Sequence, residues 1–380
     1  MQETPDDCLK SRPSSAPLEE RLVALDILRG VALFGVMAIN LVYEFRVSIF
    51  EQFLPSRQVG SSLDRIIATF LDEAIELKAF ALFSLLFGAG LAIQFDRLAE
   101  KRRAVLLVRR LLVLLAFGVI HLTLIWNGDI LTEYALAGLL VLPLLYGPRW
   151  LLAACASALL AVYASSYLLW LLPFPDPGWL AHRIVEARQV YATGSSLGIL
   201  RFRFHEIAAI APLHVWIFPR TLALFLIGAL VWRTGAVQRA SVNPLPWFIA
   251  GVAAALATPF VGNALATVTI AVAYGAIIVG VASTAVGAEH LGWLASLGRM
   301  AFTNYILQSL IFGWIFYGYG FGLFGKLNVS TALAFGVAVY AAQVFFSQWW
   351  LRRYRFGPIE WLWRSLMYGQ SQPMKRQMTA

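Results

Sequence analysis

Charge is scarce in this sequence. Only 13% of its 380 residues are Asp, Glu, Lys or Arg, about half the share found in a soluble domain, which excludes an ordinary soluble enzyme. Cysteine is rarer still. Cys8 lies in a polar N-terminal stretch and Cys155 in an apolar run, so neither a disulfide framework nor a thiolate metal site is expected. The histidines His121, His182, His205, His214 and His290 lack metal-ligand spacing, and no metal site is expected. No internal repeat, low-complexity block or phosphate-cradling glycine loop is present. The opening "MQETPDDCLKSRPSSAPLEE" lacks the apolar core of a signal peptide; residues 1–21 read as a disordered cytoplasmic tail. A net charge of +9 invites a nucleic-acid reading. The basic residues, however, cluster at the ends of apolar runs, where membrane topology accounts for them, so no nucleic-acid partner is expected.

What remains is apolar: 59% of the chain is hydrophobic, in runs long enough to cross a bilayer, which takes about 20 residues. The runs predict an all-α polytopic membrane bundle of about ten transmembrane helices, near 22–43, 77–95, 105–126, 130–147, 150–172, 214–233, 246–262, 264–286, 299–318 and 330–351. A single bundle over 22–369 is expected, with a cytoplasmic tail over 370–380. Basic groups gather at "DRLAEKRRAVLLVRR" (Asp96 to Arg110), at Arg149, Arg233 and Arg239, and at "RRYRF" (Arg352 to Phe356). With ten spans these all fall on one side, with both termini, and the positive-inside rule makes that side cytoplasmic. The other side holds "NGD" (Asn127 to Asp129) and the acid-rich stretch from Glu44 to Glu76. An outer segment over about 173–213, including "WLAHRIVEARQVYATG", reads as an amphipathic helix on the membrane surface or as a packed cap. The setting is the lipid bilayer, with a bacterial cytoplasmic membrane expected; the sequence allows a homodimer without specifying one.

Polar groups inside such spans are costly and point to function. In "LDILRGVALFGVMAIN" (Leu25 to Asn40), Arg29 and Asn40 are eleven residues apart, about three turns, and so share a helix face roughly 16 Å apart along the axis. Asp26, three residues before Arg29, can pair with it. The plainer alternative is a snorkelling Arg29 and an Asn40 that bonds a neighbouring helix. His121 lies in the outer part of the third span, and Asp129 and Glu133 open the fourth at i, i+4 spacing. A carboxylate that orients an imidazole makes a general base; alternatively, Asp129 caps a helix and His121 is a hydrogen-bonded core residue. The ninth span, "LGRMAFTNYILQSL", places Asn304 and Gln308 on one face with Thr303 and Ser309 beside them, and Gln343 adds an amide to the tenth. These amides either pair with one another or line a substrate path. "FGAG" (Phe87 to Gly90) reads as small-residue packing.

Several segments together resemble the YeiB-like family of integral membrane proteins, whose C-terminal half is a domain of unknown function. They are "LDILRGVALFGVMAIN", "FSLLFGAGLA" (Phe83 to Ala92), "RRLLVLLAFGVIHLTLIWNGDIL" (Arg109 to Leu131), "LGRMAFTNYILQSLI" (Leu297 to Ile311), "FYGYGFGLFG" (Phe316 to Gly325) and "RYRFGPIEWLWRSLMYG" (Arg353 to Gly369). The family is distantly similar to membrane acyltransferases that move acyl groups from coenzyme A to sugars across a bilayer, the lysosomal heparan acetyltransferase group included. In those enzymes the first span resembles "LDxxRG…N", with the Asn, here Asn40, by the reaction centre. In another branch an Arg is followed ten residues later by a His; here Arg29 is followed, eleven residues later, by Asn40. An amide is no base, so this reading turns to His121.

The resemblance implies no covalently bound cofactor and an acyl-CoA donor. Arg29 would draw the donor phosphates and Asn40 would donate to the developing oxyanion. His121, oriented by Asp129 or Glu133, would deprotonate an acceptor hydroxyl or amine of a sugar or lipid at the outer face. Asn304, Gln308 and Gln343 would line the substrate path. The rival class is a transporter or lipid-handling protein without acyl transfer, in which the same polar groups carry a proton or solute.

Overall fold

A computed structural model describes residues 23–53, 60–165, 167–240 and 242–376. The expected N-terminal tail, with Cys8, lies outside the described residues. Among those described the chain is a bundle of helices without a β-strand; one isolated bridge pairs Tyr354 with Lys375. Six helices are long and apolar enough to cross a membrane by length and composition: Val23–Phe45, Ser62–Arg97, Glu100–Ile125, Ser196–Arg233, Asn263–Ala282 and Val329–Arg353. Four shorter apolar helices, Leu131–Tyr146, Arg149–Ala164, Leu245–Phe260 and Ala301–Phe316, coincide with the other expected spans.

In chain order the elements that position the site begin with α1 (Val23–Asn40), α2 (Ser62–Phe70), α3 (Lys78–Arg97), α4 (Glu100–Ile120), α5 (Leu131–Val141) and α6 (Arg149–Ala164). After the short α7 (Tyr167–Leu171) come α8 (Pro177–Thr193), the 38-residue α9 (Ser196–Arg233), the one-turn α10 (Ala236–Arg239), α11 (Leu245–Ala257) and α12 (Asn263–Ala282). The last four are α13 (Ala285–Arg299), α14 (Ala301–Phe316), α15 (Val329–Arg353) and α16 (Pro358–Tyr368).

Small residues let the central helices approach. A Cβ on Gly88 would overlap the Phe225 carbonyl, and one on Gly228 would overlap that of Leu85, so α3 and α9 cross backbone to backbone at "FGAG". Gly30 and Gly298 do the same for α1 and α13. Lipid supplies no hydrophobic drive between helices, so this close contact does the packing. Three single π-turns, Leu41–Phe45, Leu71–Ile75 and His121–Ile125, extend α1, α2 and α4. Such turns recur where a helix must re-aim a functional side chain, and here they carry or adjoin Glu44, Glu76 and His121.

Three regions take a form that the sequence left open. The outer segment divides into α8 and the first part of α9, and it packs as a cap. Leu180 and Ile184 join Ile49, Phe50 and Ile210 in one cluster, while Ala187 and Tyr191 enter the main core. The stretch between the eighth and ninth expected spans forms α13, capped by the Thr284 hydroxyl, which accepts from Gly287 N at 3.0 Å. The C-terminal stretch is strapped down as far as residue 376: Arg355 N donates to Met374 O at 2.9 Å and Trp361 Nε1 to Gln372 O at 2.7 Å.

Candidate functional site: an hourglass through the bundle

Two cavities approach each other along the bundle. The first, of about 330 Å³, is lined at its basic end by Arg29, Arg97, Arg110, Arg299 and Arg364. Its two acids are engaged. Asp26 pairs with Arg29 at 2.5 Å. Glu360, on α16 and outside the spans, caps α14 by accepting from Phe302 N at 2.8 Å and Thr303 N at 3.0 Å. Burial pushes the Glu360 carboxyl above its ordinary value, against the pull of those hydrogen bonds. Trp363 of α16 donates to Arg110 O at 2.9 Å and lies under its guanidinium, 3.8 Å away. Deeper, the walls turn apolar and aromatic: Val36, Phe83, Leu86, Phe87, Leu114 and Tyr305. Charged mouth and greasy depth together suit an anionic amphiphile.

The second cavity, about 90 Å³, sits at the acidic end and is lined by Glu44, Glu76, Glu133, His214, Arg220 and Thr221. Ile130 and Tyr134 line both cavities and form the waist. Tyr134 is pinned there, its hydroxyl 2.9 Å from both Phe80 O and Ser84 Oγ. A third cavity, about 380 Å³ and mostly apolar, opens between α5 and α9 and touches Asp129, Glu133 and His214.

Beside the waist lies a buried relay. His121 Nδ1 is 2.8 Å from Asp129 Oδ1, and His121 Nε2 is 3.0 Å from Ser309 Oγ. The other carboxylate oxygen of Asp129 accepts from Thr132 N at 2.7 Å, so Asp129 caps α5 and orients the ring at once. His121 is fully buried, and Asp129 and Ser309 are each 2% exposed. Tyr305, on the first cavity's wall, holds its ring centroid 5.1 Å from that of His121. Carboxylate, imidazole and hydroxyl in this order are the parts of an acid–base relay.

Glu133 does not reach His121. It accepts from Thr221 Oγ1 at 2.5 Å and pairs with His214 Nδ1 at 3.0 Å. His214 and Thr221 were missed in the sequence because nothing local links them to Glu133; they come from α9, more than 80 positions away. Ser309 was noted only as a neighbour of the amides, and its relay contact spans 188 positions.

The residues read as lining one chamber are divided. Arg29 lines the basic cavity. Asn40 is 4% exposed, its Oδ1 has no hydrogen-bond partner, and it lines none of the three cavities. The amides bond one another: Gln308 Nε2 donates to Gln343 Oε1 at 2.8 Å, Gln343 Nε2 to Asn304 O at 2.9 Å, and Asn304 Nδ2 to Ser347 Oγ at 3.0 Å. They join α14 to α15 and line none of the cavities. No cluster of His, Cys, Asp and Glu among the described residues could hold a metal ion.

Apolar spanning helices around a buried polar path define a polytopic helical membrane protein. The family described as "Protein of unknown function (DUF418)" matches residues 211–370. The uncharacterized protein YxaH of Bacillus subtilis (strain 168) is 34% identical, over 94% of this chain and 96% of its own length. An uncharacterized 39.9 kDa protein of Bacillus acidopullulyticus is 28% identical over 94% and 96%, and the uncharacterized protein YeiB of Escherichia coli (strain K12) is 29% identical over 91% and 96%. The chain belongs to this YeiB-like family.

Proposed function

We propose that the protein is a membrane acyltransferase that accepts an acyl group from acyl-CoA at the basic end and passes it to a hydroxyl or amine at the acidic end. One observation carries the reading: a cavity ringed by arginines and one lined by carboxylates meet at Ile130 and Tyr134, next to the His121–Asp129 pair. In this account the arginines hold the donor phosphates and the acyl chain runs along Phe83, Leu86 and Leu114. Asp129 keeps the His121 proton on Nδ1, so Nε2 is free to accept. Ser309 Oγ marks the place that the acceptor group takes at Nε2. As the acceptor oxygen or nitrogen bonds to the thioester carbon, its proton passes to Nε2, the C–S bond breaks, and the proton leaves with the thiolate as CoA thiol. His121, Ser309 and Asn40 line none of the three cavities, so in this account the acceptor reaches Nε2 by displacing the Ser309 hydroxyl; Asn40 is given no step, because an amide is no base. The basic end faces the cytoplasm of a bacterium by the positive-inside rule.

The test is transfer of a labelled acyl group from acyl-CoA by the purified protein in vesicles. His121→Ala abolishes transfer with the fold intact; unchanged transfer in that variant overturns the mechanism. The waist also favours a second reading. Two cavities that share Ile130 and Tyr134 as lining also suit an alternating-access carrier. Solute uptake by sealed vesicles without acyl-CoA would select it.

A further inference from the structure

We infer that the third cavity, between α5 and α9, binds an uncharged membrane lipid whose head carries a free hydroxyl, of the diacylglycerol kind. Neither His121 nor Ser309 lines this cavity, so the site stands apart from the acyl-transfer reading and does not rest on it.

Depth is the first observation. His214 and Phe218 are both on the lining. They lie nineteen and fifteen residues before Arg233, the basic end of α9, about 28 and 22 Å along the axis at 1.5 Å per residue. A hydrocarbon core is about 30 Å thick, so His214 stands at its far edge and Phe218 within the far leaflet. Leu136 and Val215 share the lining and are 43% and 51% exposed, so the wall opens sideways at bilayer depth. With about 380 Å³ of space and a mostly apolar lining, the cavity suits an alkyl chain entering from the leaflet.

Charge selects the head. Asp129, Glu133 and His214 are the titratable groups on the lining, which includes no Lys or Arg. Both carboxylates have their partners: Asp129 holds His121 and Thr132 N, and Glu133 holds His214 and Thr221. A cationic head therefore finds its acids already engaged. A phosphate would face two carboxylates with no guanidinium or ammonium to offset it, at the cost of an uncompensated charge, and a zwitterionic phospholipid brings the same phosphate. Of the other polar lining residues, Asn127 spends its amide on Glu206 at 2.9 Å and the Thr132 hydroxyl is turned against Gly118. What remains for a head is His214, whose side chain is 36% exposed. Its Nδ1 is taken by Glu133, which leaves Nε2. A hydroxyl donates to that nitrogen when the ring is neutral and accepts from it when the ring is protonated, whereas an ester, which only accepts, fits one state alone.

The experiment is photolabelling of the full chain in vesicles of phosphatidylethanolamine and phosphatidylglycerol, without acyl-CoA. The probe is a trace of diacylglycerol with a diazirine in one chain. Phosphatidylethanolamine, phosphatidylglycerol and phosphatidic acid probes with the same chains are run beside it. Saturable labelling of the α5 and α9 peptides that hold Leu136, Val215 and Phe218 is expected, competed by unlabelled diacylglycerol and about tenfold above any phospholipid probe. Val215→Trp, which fills the opening from its lipid-facing side, should abolish this labelling. His214→Phe should lower it about fivefold, the worth of one hydrogen bond, and leave the phospholipid labelling as it was. If His214→Phe does not fold because Glu133 has lost a partner, Val215→Trp decides. Labelling spread over the whole lipid-facing surface, labelling by a phospholipid probe equal to that by diacylglycerol, or unchanged labelling in the folded variants overturns the inference.

Discussion

Replacing Asp129 by Asn separates the relay's chemistry from its contribution to folding. The carboxylate makes two bonds, to His121 Nδ1 at 2.8 Å and to Thr132 N at 2.7 Å. Asn is an equally good helix cap, so its carbonyl keeps Thr132 N and its amide turns towards the ring. The His121 proton then moves to Nε2, which donates to Ser309. Ser309 in turn donates to Tyr305 O, 3.3 Å away. Every group stays paired, but the base has lost its lone pair. A charge-assisted bond of about 1.5–3 kcal/mol becomes a neutral one of about 0.5–1.5 kcal/mol, so Asp129→Asn should cost only about 1–2 kcal/mol. Asp129→Ala leaves both donors bare, at about 1–3 kcal/mol each. Equilibrium unfolding in mixed micelles measures the two costs, nitrogen NMR of the imidazole reads the tautomer, and the vesicle assay reads transfer. The account requires Asp129→Asn to be well folded, Nε2-protonated and inactive. A variant that keeps the Nδ1 tautomer with full transfer, or is as unstable as Asp129→Ala, refutes it.

Three further outcomes follow from the geometry. Gly228→Val should cut the yield of folded protein sharply, because its side chain meets the Leu85 carbonyl and overpacking alone costs about 1–3 kcal/mol; a full yield would contradict the close α3–α9 crossing. Gln308→Leu should destabilise by about 1–3 kcal/mol by stranding Gln343, whereas Gln308→Leu with Gln343→Leu should recover much of the loss, read by unfolding midpoints. The Glu360 carboxyl, raised by burial, binds its proton more tightly folded than unfolded. Its contribution is therefore full below the ordinary value of 4.5 and is lost as pH rises through the higher folded value. Glu360→Gln should flatten that slope in a pH series of unfolding midpoints, and an unchanged slope would assign it to another group.

The architecture was legible because bilayer thickness and the cost of bare backbone leave few solutions. Each expected span overlaps an apolar helix, six of them long enough to cross a membrane; Asp26 was an expected partner of Arg29, and Asp129 was one of two carboxylates offered to His121. The boundaries that failed were those set by packing. Gly194 and the Ser195 cap divide α8 from α9, a local signal the reading of one outer segment did not use, whereas nothing in the composition shows that α9 runs on through Pro212 and Pro219; the cap exists because Tyr191 and Ala187 find partners in the core. In the site, Glu133 was a rival orienter for His121 until α9 supplied His214 and Thr221. The amides' partners were undecided because helical spacing fixes a face but not the neighbour it meets. The second cavity was invisible for the same reason: Glu44, Glu76, Glu133 and Arg220 come from four separate stretches, and only the crossing of their helices makes them one site.

The central claim is that the arginine-lined cavity receives an anionic acyl donor whose reactive end reaches the waist. Cryo-electron microscopy of the protein with a non-hydrolysable acyl-CoA analogue tests it most directly. The account predicts phosphate density against Arg29, Arg97, Arg110, Arg299 and Arg364 and a thioether near Ile130 and Tyr134, beside His121. An empty basic cavity at saturating analogue, or density confined to the lipid-facing surface, would contradict it.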